Sequence, residues 1–164
     1  MTRSIRKRQH VVNGPVRPAR TPAGEAFTEL VVEVAWLGGI FTAAGESLAT
    51  KGGQTLARWL VLDAVEERPS TVAEIARRRG IARQAVQRVA DLLERDGLVV
   101  YEPNPRHQRA KLVRPTPRGQ DALRTISRSQ KAWADAHGEA IGLTKLRKTK
   151  ELVASIRSVV SMPK

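Results

Sequence analysis

Hydrophobic residues recur at intervals of three and four through most of the chain, which is the spacing of amphipathic helices. The pattern changes between residues 98 and 114. There, two short apolar runs, 98–101 and 110–114, flank Asn104 and Pro105. Short β-branched runs around such a turn are typical of a hairpin. The pattern therefore predicts a mainly α-helical protein with one small β-hairpin.

Capping residues set the expected bounds of the first helices. Thr21 and Pro22 form a cap-plus-proline start for a long helix. Gly38 and Gly39 weaken its middle, so a bend or an early end is expected there. Residues 43–53 then predict a short helical turn and a loop. Thr55 caps a further helix, expected to run through Glu67.

The C-terminal third of the chain predicts two more helices. Thr116 and Pro117 repeat the cap-plus-proline start, and Gly138 and Gly142 are expected to break the long helix that follows. A last amphipathic helix is expected from about Thr144. It carries more apolar surface than a free chain end needs, so it is expected to pair across a two-fold axis or to fold back onto its own subunit.

Two short helices with a tight turn lie between residues 71 and 95. Thr71 and Glu74 have the spacing of a capping box, and Gly80 stands where a left-handed residue ends a helix. After three residues a second helix is expected, closed by Gly97. The arrangement predicts a helix-turn-helix, whose second helix enters the DNA major groove.

The polar face of this second helix carries Arg83, Gln84, Gln87 and Arg88, opposite an apolar face. These side chains have the donors and acceptors that read guanine and adenine. They predict a DNA-reading surface. The alternative from the residues alone is an ordinary solvated helix face.

The turn of the hairpin is strongly basic. It carries Arg106, His107, Arg109 and Lys111 directly after the second helix. A structural hairpin needs no such charge, whereas the wing of a winged helix uses it to contact phosphates and the minor groove. The fold class expected is therefore a winged helix-turn-helix with flanking helices.

The charge of the chain favours a polyanionic partner. The formal net charge is +13 and the isoelectric point about 11.3. Residues 77–131 hold 14 Lys or Arg against 5 Asp or Glu, which places the excess on the proposed helix and wing and favours DNA over an anionic membrane. The apolar stretch Leu30–Ala44 is interrupted by Glu33 and looks too short to span a bilayer, which needs about 20 residues. Neither a membrane partner nor export is expected.

No catalytic or metal-binding pattern is evident. The chain has no cysteine, and its three histidines, His10, His107 and His137, lack the spacing of metal ligands. An enzyme, a cofactor and a metal are therefore not expected. An RNA-binding protein is disfavoured because the chain has few aromatic residues on which single strands stack.

Residues 1–20 contain six basic residues, no acid, Gly14 and two prolines. Such a segment buries too little surface to order itself. It is expected to be a flexible arm that adds non-specific DNA affinity, or else a solubilising tail.

With these elements identified, the chain resembles the MarR family of bacterial transcription regulators. The resemblance is clearest from Thr55 to Leu123 and rests on TVAEIARRRGIARQAVQRVADLLERDGLV (71–99) and RAKLVRPTPRG (109–119). It implies a cytoplasmic homodimer of winged-helix lobes that binds double-stranded DNA at a pseudo-palindromic operator and usually represses. The implied recognition helix is Arg83 to Arg95, with Arg109 in the minor groove and Lys111 on a phosphate.

The resemblance also implies a division of the chain and a ligand. Residues 21–50 and 117–164 would form the dimerisation region, and 55–116 the DNA-binding lobe. Many members release DNA when a small, often aromatic, molecule binds between these regions, and Phe41 and Trp59 would be wall residues of that pocket. For both, ordinary core packing is the alternative. A DNA-binding or architectural protein that senses no ligand is the alternative function.

Three residues depart from the family pattern. His107 stands where an Asp commonly braces the wing, and Ala82 where a Ser or Thr often caps the recognition helix. Pro115 replaces a Leu and removes one strand donor. We therefore expect the wing geometry to differ from that of relatives.

Overall fold

The computed structural model describes residues 18–107 and 109–161, so most of the predicted basic arm lies outside the described residues. The elements are α1 Pro22–Thr50, α2 Leu56–Asp63, β1 Ser70–Thr71, α3 Val72–Arg79, α4 Arg83–Arg95, β2 Val99–Glu102, β3 Leu112–Pro115, α5 Pro117–Ile141 and α6 Leu143–Val160. The expected mainly helical winged helix-turn-helix is confirmed. The chain divides into two compact units, one ending at Ile40 and one beginning at Phe41, and α1 contributes to both.

One hydrophobic core lies in the unit that begins at Phe41. Each helix and strand from α2 to α5 except β1 contributes at least one buried apolar residue to this core. Its largest fully buried side chains include Leu62, Ile75, Leu93 and Leu123. Burial of each such side chain contributes roughly 1.5–3 kcal/mol. The buried faces of α3 and α4 thereby fix which faces of the two helices remain in water.

The hairpin belongs to a three-stranded antiparallel sheet with the order β1-β3-β2. In this sheet Ser70 pairs with Val113, and Val99 pairs with Pro115. The strand β1 was not predicted, because two residues are too few to show an alternating pattern. Pro115 lies beyond the end of β1, so the donor that it lacks would have had no partner on that edge of β3.

The first helix is longer than expected. It continues through Gly38 and Gly39 to Thr50, so the predicted bend or early end, and the loop after residue 43, are wrong. Each glycine costs a helix only about 1 kcal/mol relative to alanine. Near the helix end, Gly45 and Ala49 are buried, and a Cβ on Gly45 would lie 2.9 Å from Leu56 Cδ1. This packing holds the last turns of α1 in helical form.

The length of α1 also changes the comparison with the length of a membrane-spanning helix. The helix has 29 residues, and an 18-residue window within it has a mean hydropathy of 1.4. By length and composition alone it is sufficient to cross a membrane, although Leu30–Ala44 by itself is not.

Two further helix ends differ from expectation. The helix α2 ends at Asp63 rather than at Glu67, and Arg78 Nη2 donates to the carbonyl oxygen of Ala64 at 2.7 Å just beyond that end. Gly138 does not interrupt α5, whereas Gly142, with φ of 92°, ends it. Only the second glycine adopts a conformation that other residues avoid.

The start of α5 packs directly against the start of β2. A Cβ on Gly119 would lie 2.1 Å from the carbonyl oxygen of Leu98. Thr116 N donates to that same oxygen at 3.0 Å, and Thr116 Oγ1 donates to the carbonyl oxygen of Gly97 at 2.8 Å. Only glycine allows this approach of helix and strand.

Replacing Gly119 by alanine is therefore expected to lower the free energy of unfolding by about 2–3 kcal/mol, since neither backbone can move away. Gly138→Ala is the matched control in the same helix. No described atom outside the helix lies within 4 Å of its added Cβ. It is expected to stabilise by about 0.5–1 kcal/mol. Urea unfolding of both variants measures the difference, and equal midpoints would contradict the close approach.

Candidate nucleic-acid interface

The helix-turn-helix is built by local caps. Thr71 Oγ1 accepts from Glu74 N at 3.2 Å, and Glu74 Oε2 accepts from Thr71 N at 2.8 Å, so the predicted capping box is present. Gly80 ends α3 in the left-handed conformation with φ of 65°. Hydrogen bonds from the backbone and hydroxyl of Thr71 hold the pKa of Glu74 below its usual value of 4.5. The cap therefore prefers the ionised carboxylate.

The helix α4 has the bounds predicted for the recognition helix. Val86, Ala90 and Leu93 are buried, and the predicted DNA-reading residues are all exposed on the remaining surface: Arg83, Gln84, Gln87 and Arg88. Ala82 makes no side-chain cap, as its side chain predicts. The buried face thus fixes the polar face toward solvent.

The tip of the hairpin is held by hydrogen bonds among its own residues. Asn104 Oδ1 accepts from Arg106 N at 3.0 Å, and the carbonyl oxygen of Asn104 accepts from His107 N at 3.1 Å. The carbonyl oxygen of His107 then accepts from Ala110 N at 3.1 Å. Between the two strands of the hairpin, Arg114 pairs with Glu102 at 2.7 Å. The contacts at the tip are made without an acidic side chain.

A groove of about 400 Å³ separates α4 from the hairpin. Arg83 and Gln87 of α4 line it together with Arg109 and Lys111 of the hairpin. Four of the eight predicted DNA-binding residues therefore meet at one place, although they are up to 28 positions apart in sequence. Gln84 and Arg88 are exposed on the same helix but do not line this groove.

A second groove, of about 770 Å³, lies between α3 and the hairpin. Its lining includes Arg106, His107 and Arg109, again with Arg83. Two arginines that sequence reasoning missed also line it: Arg68 and Arg77. The run of arginines that ends α3 was the available signal, but its spacing alone does not show which member faces the hairpin.

Three polar side chains connect α4 to β2. Gln87 Nε2 lies 2.7 Å from Asp91 Oδ1 and 2.8 Å from the Tyr101 hydroxyl oxygen, and that hydroxyl lies 2.8 Å from Asp91 Oδ1. Burial and the neighbouring Asp91 raise the pKa of Tyr101 well above its usual value. The phenol therefore keeps its proton at neutral pH. Sequence reasoning did not anticipate this network.

An aromatic cleft of about 360 Å³ lies elsewhere in the unit that begins at Phe41. Phe41 and Trp59, the predicted wall residues, both line it with Trp133, whose ring lies 6.3 Å from that of Phe41 and at 84° to it. Trp59 also packs against the core, whereas Phe41 is 53% exposed and is not a core residue. The hydrogen-bonding side-chain groups of the described lining are the amide of Gln130 and the indole N–H groups of Trp59 and Trp133.

No metal-ligand cluster is present in the part of the chain that the structure describes, where a group of three or more His, Asp or Glu side chains is not found. The cations of both grooves are guanidinium and ammonium groups, which bind phosphate oxygens. Carboxylates also line the grooves, Asp91 and Glu94 in the first and Glu74 in the second.

A model of the MarR family matches residues 53–110. An uncharacterised protein of Mycobacterium tuberculosis, Rv2011c, is 39% identical over 103 residues, which cover 63% of this chain and 72% of that protein. The chain belongs to the MarR family. The MarR family transcription regulator SP03579 has a similar fold, with a TM-score of 0.76, 20% identity and coverage of 85% of this chain and 93% of that one. The structure of Staphylococcus aureus MarR with salicylate and kanamycin is also similar, with a TM-score of 0.72 and 18% identity. The match covers 83% of this chain and 93% of that one.

In this MarR-family winged helix-turn-helix regulator, the candidate interface lies on α3, α4 and the hairpin. All three belong to the unit that begins at Phe41. The family match covers this segment except for the end of the hairpin. Apart from Lys111 and Leu112, the residues that line the two grooves beside the hairpin lie within the matched region.

The low pKa of Glu74 predicts a pH dependence of stability. The ionised Glu74 carboxylate contributes its full stabilisation of the folded state above the pKa that Glu74 has in the unfolded chain, near 4.5. That contribution is lost as pH falls through the lower pKa that Glu74 has in the folded state. Glu74→Gln cannot titrate. The difference in unfolding free energy between wild type and this variant is expected to be largest at neutral pH and to shrink below pH 4.5. Glu66→Gln, at an exposed position outside any cap, is the control, and a difference independent of pH would contradict the ionised cap.

Proposed function

We propose that the protein is a homodimeric, sequence-specific DNA-binding regulator that represses transcription and is relieved by a small ligand. The observation that supports this most directly is the groove shared by α4 and the hairpin. Arg83 and Gln87 from one side meet Arg109 and Lys111 from the other, so one duplex can contact both elements.

The roles follow from chemistry. Arg83, Gln84 and Arg88 lie exposed on α4 and contact base edges in the major groove. Arg109 enters the minor groove, and Arg106, His107 and Lys111 contact phosphates on either side of it. The basic segment 1–20, largely outside the described residues, adds non-specific affinity.

The dimerisation region comprises residues 21–50 and 117–164, flanking a DNA-binding lobe of residues 55–116. In α6 no residue is buried, and Leu143, Leu152, Val159 and Val160 are among its exposed apolar residues. Apolar surface of this kind is stabilised by a second copy, and two-fold pairing is the commonest symmetry.

The helix α1 serves the same interface rather than a membrane. Within its apolar sequence, Glu29 and Glu33 are one turn apart and exposed. A carboxylate in hydrocarbon costs about 2.5 kcal/mol or more. We therefore assign the protein to the cytoplasm, and to the nucleoid when it is bound to DNA.

The experiment that tests this function measures operator binding against salt. Arg109→Ala is expected to weaken binding and to reduce the slope of log affinity against log salt by about 1 per chain, or about 2 per dimer. Arg128→Ala, which removes an exposed arginine of α5 outside both grooves, is expected to leave the slope unchanged. Sedimentation of the same complexes is expected to give two chains per operator. An unchanged slope for Arg109→Ala would argue against a hairpin inserted in a groove.

The aromatic cleft supports the ligand part of the proposal. Its rings and aliphatic side chains suit a small aromatic molecule, and the similar Staphylococcus aureus MarR was solved with salicylate. The alternative function is a ligand-independent or architectural DNA-binding protein, which uses the same grooves and leaves the cleft empty.

Salicylate is the probe that separates these functions. It is expected to release operator DNA and to quench tryptophan fluorescence, because Trp59 and Trp133 line the cleft. Trp36→Phe, at an exposed position outside the cleft, should retain the response, whereas Trp59→Phe should reduce it. DNA retained with unchanged fluorescence would favour the ligand-independent regulator.

A further inference from the structure

The donor and the acceptor can be assigned for each hydrogen bond among Gln87, Asp91 and Tyr101. An ionised carboxylate only accepts, so the Tyr101 hydroxyl donates to Asp91 Oδ1 at 2.8 Å. The hydroxyl oxygen then has only acceptor capacity left for Gln87, 2.8 Å away. The atom of Gln87 that faces both partners must therefore be the amide nitrogen, which fixes the orientation of the amide.

The Gln87 amide donates to both partners, to Asp91 Oδ1 at 2.7 Å and to the Tyr101 hydroxyl oxygen at 2.8 Å. The nitrogen and the two oxygens form a nearly equilateral triangle, so the acceptors lie closer together than the two amide hydrogens diverge, and the bonds are bent. A phenol with the ordinary pKa of 10 is already protonated at neutral pH, and the raised pKa of Tyr101 extends this to higher pH. Oε1 is the polar atom left, and it makes no hydrogen bond to another described side chain.

A free glutamine on a recognition helix reads adenine with two bonds, one donated to N7 and one accepted from the N6 amino group. The first of these needs an amide hydrogen that Gln87 has already donated within the protein. An acceptor alone still binds the amino group of adenine or of cytosine, but neither guanine nor thymine presents an amino group in the major groove.

We propose that Asp91 and Tyr101 hold Gln87 as an acceptor-only reader, so that it selects adenine or cytosine at one operator position without distinguishing them. The proposal rests on the proposed function, since it needs DNA in the groove that Gln87 lines. Asp91 and Tyr101 are positioning residues, because they act through Gln87. Gln84, exposed one turn earlier on the same helix, is not part of this network and keeps both amide hydrogens for DNA.

The test selects half-sites from a randomised duplex library with the full chain. Wild type is expected to accept adenine and cytosine equally at one position. Tyr101→Phe frees one amide hydrogen and is expected to raise the adenine-to-cytosine ratio there by about 5-fold or more, as a second base contact should. Gln87→Ala is expected to lose preference at the same position.

The double variant separates this inference from a general effect on the fold. In Gln87→Ala/Tyr101→Phe the second change should no longer alter base preference, whereas Tyr101→Phe acting on the fold would still do so. Asp91→Ala frees the other hydrogen and should shift the ratio in the same direction, which covers the case in which Tyr101→Phe does not fold. Gln84→Ala should change a different position.

Failure of the inference and failure of the proposed function give different results. DNA selected by wild type with an unchanged adenine-to-cytosine ratio in both the Tyr101→Phe and Asp91→Ala variants overturns the acceptor-only assignment and leaves DNA binding intact. A shift that persists in the double variant overturns it as well. If wild type selects no sequence at all, both are overturned.

Discussion

The junction between α4, β2 and α5 determines how the recognition helix and the hairpin are presented. At this point Gly97 turns the chain with φ of 70°, and Thr116 holds the carbonyl oxygens of Gly97 and Leu98. Arg58 of α2 pairs with Asp96 at 2.7 Å, and Arg118 of α5 donates to the carbonyl oxygen of Asp96 at 3.0 Å. The hydrogen bond from Arg58 holds the pKa of Asp96 below its usual value. These contacts fix the end of α4 relative to the start of β2, and both elements line the first groove.

The arginines of this chain divide into those that hold the fold and those that face solvent. In the first group, Arg58 pairs with Asp96 and Arg114 pairs with Glu102. Arg78 donates to the carbonyl oxygen of Ala64. Among the described residues, no ion pair includes Arg83, Arg106 or Arg109. Net charge therefore overstates the charge available to a polyanion. These three arginines stay outside the described ion pairs although carboxylates also line the grooves beside the hairpin. Composition predicted the kind of partner, but tertiary pairing decides which arginines can meet it.

Features that depend on neighbouring residues were predictable from the sequence, and features that depend on distant ones were not. Thr71 and Glu74 cap α3 through contacts between residues three positions apart, so the sequence alone was sufficient to predict the cap. The sequence does not distinguish Gly138 from Gly142, yet of the two only Gly142 has a positive φ and ends α5. The same holds in the site. The polar face of α4 follows from its period, whereas the bond between Gln87 and Tyr101 joins residues 14 apart and follows from the pairing of helix and sheet.

The departures from the family pattern have consequences that also depend on tertiary contacts. With His107 in place of an acid, the hairpin tip has no carboxylate brace of its own, and Asn104 supplies the turn through its side-chain and backbone oxygens instead. An acid at the tip would neutralise part of the charge beside Arg109, because two opposite charges at 4 Å interact by about 4 kcal/mol at an effective dielectric constant near 20. The neutral amide of Asn104 fixes the backbone without that attraction. The Arg114–Glu102 pair joins the two strands of the hairpin, so this acidic side chain stabilises the strands and, among the described residues, pairs with none of the arginines of the tip.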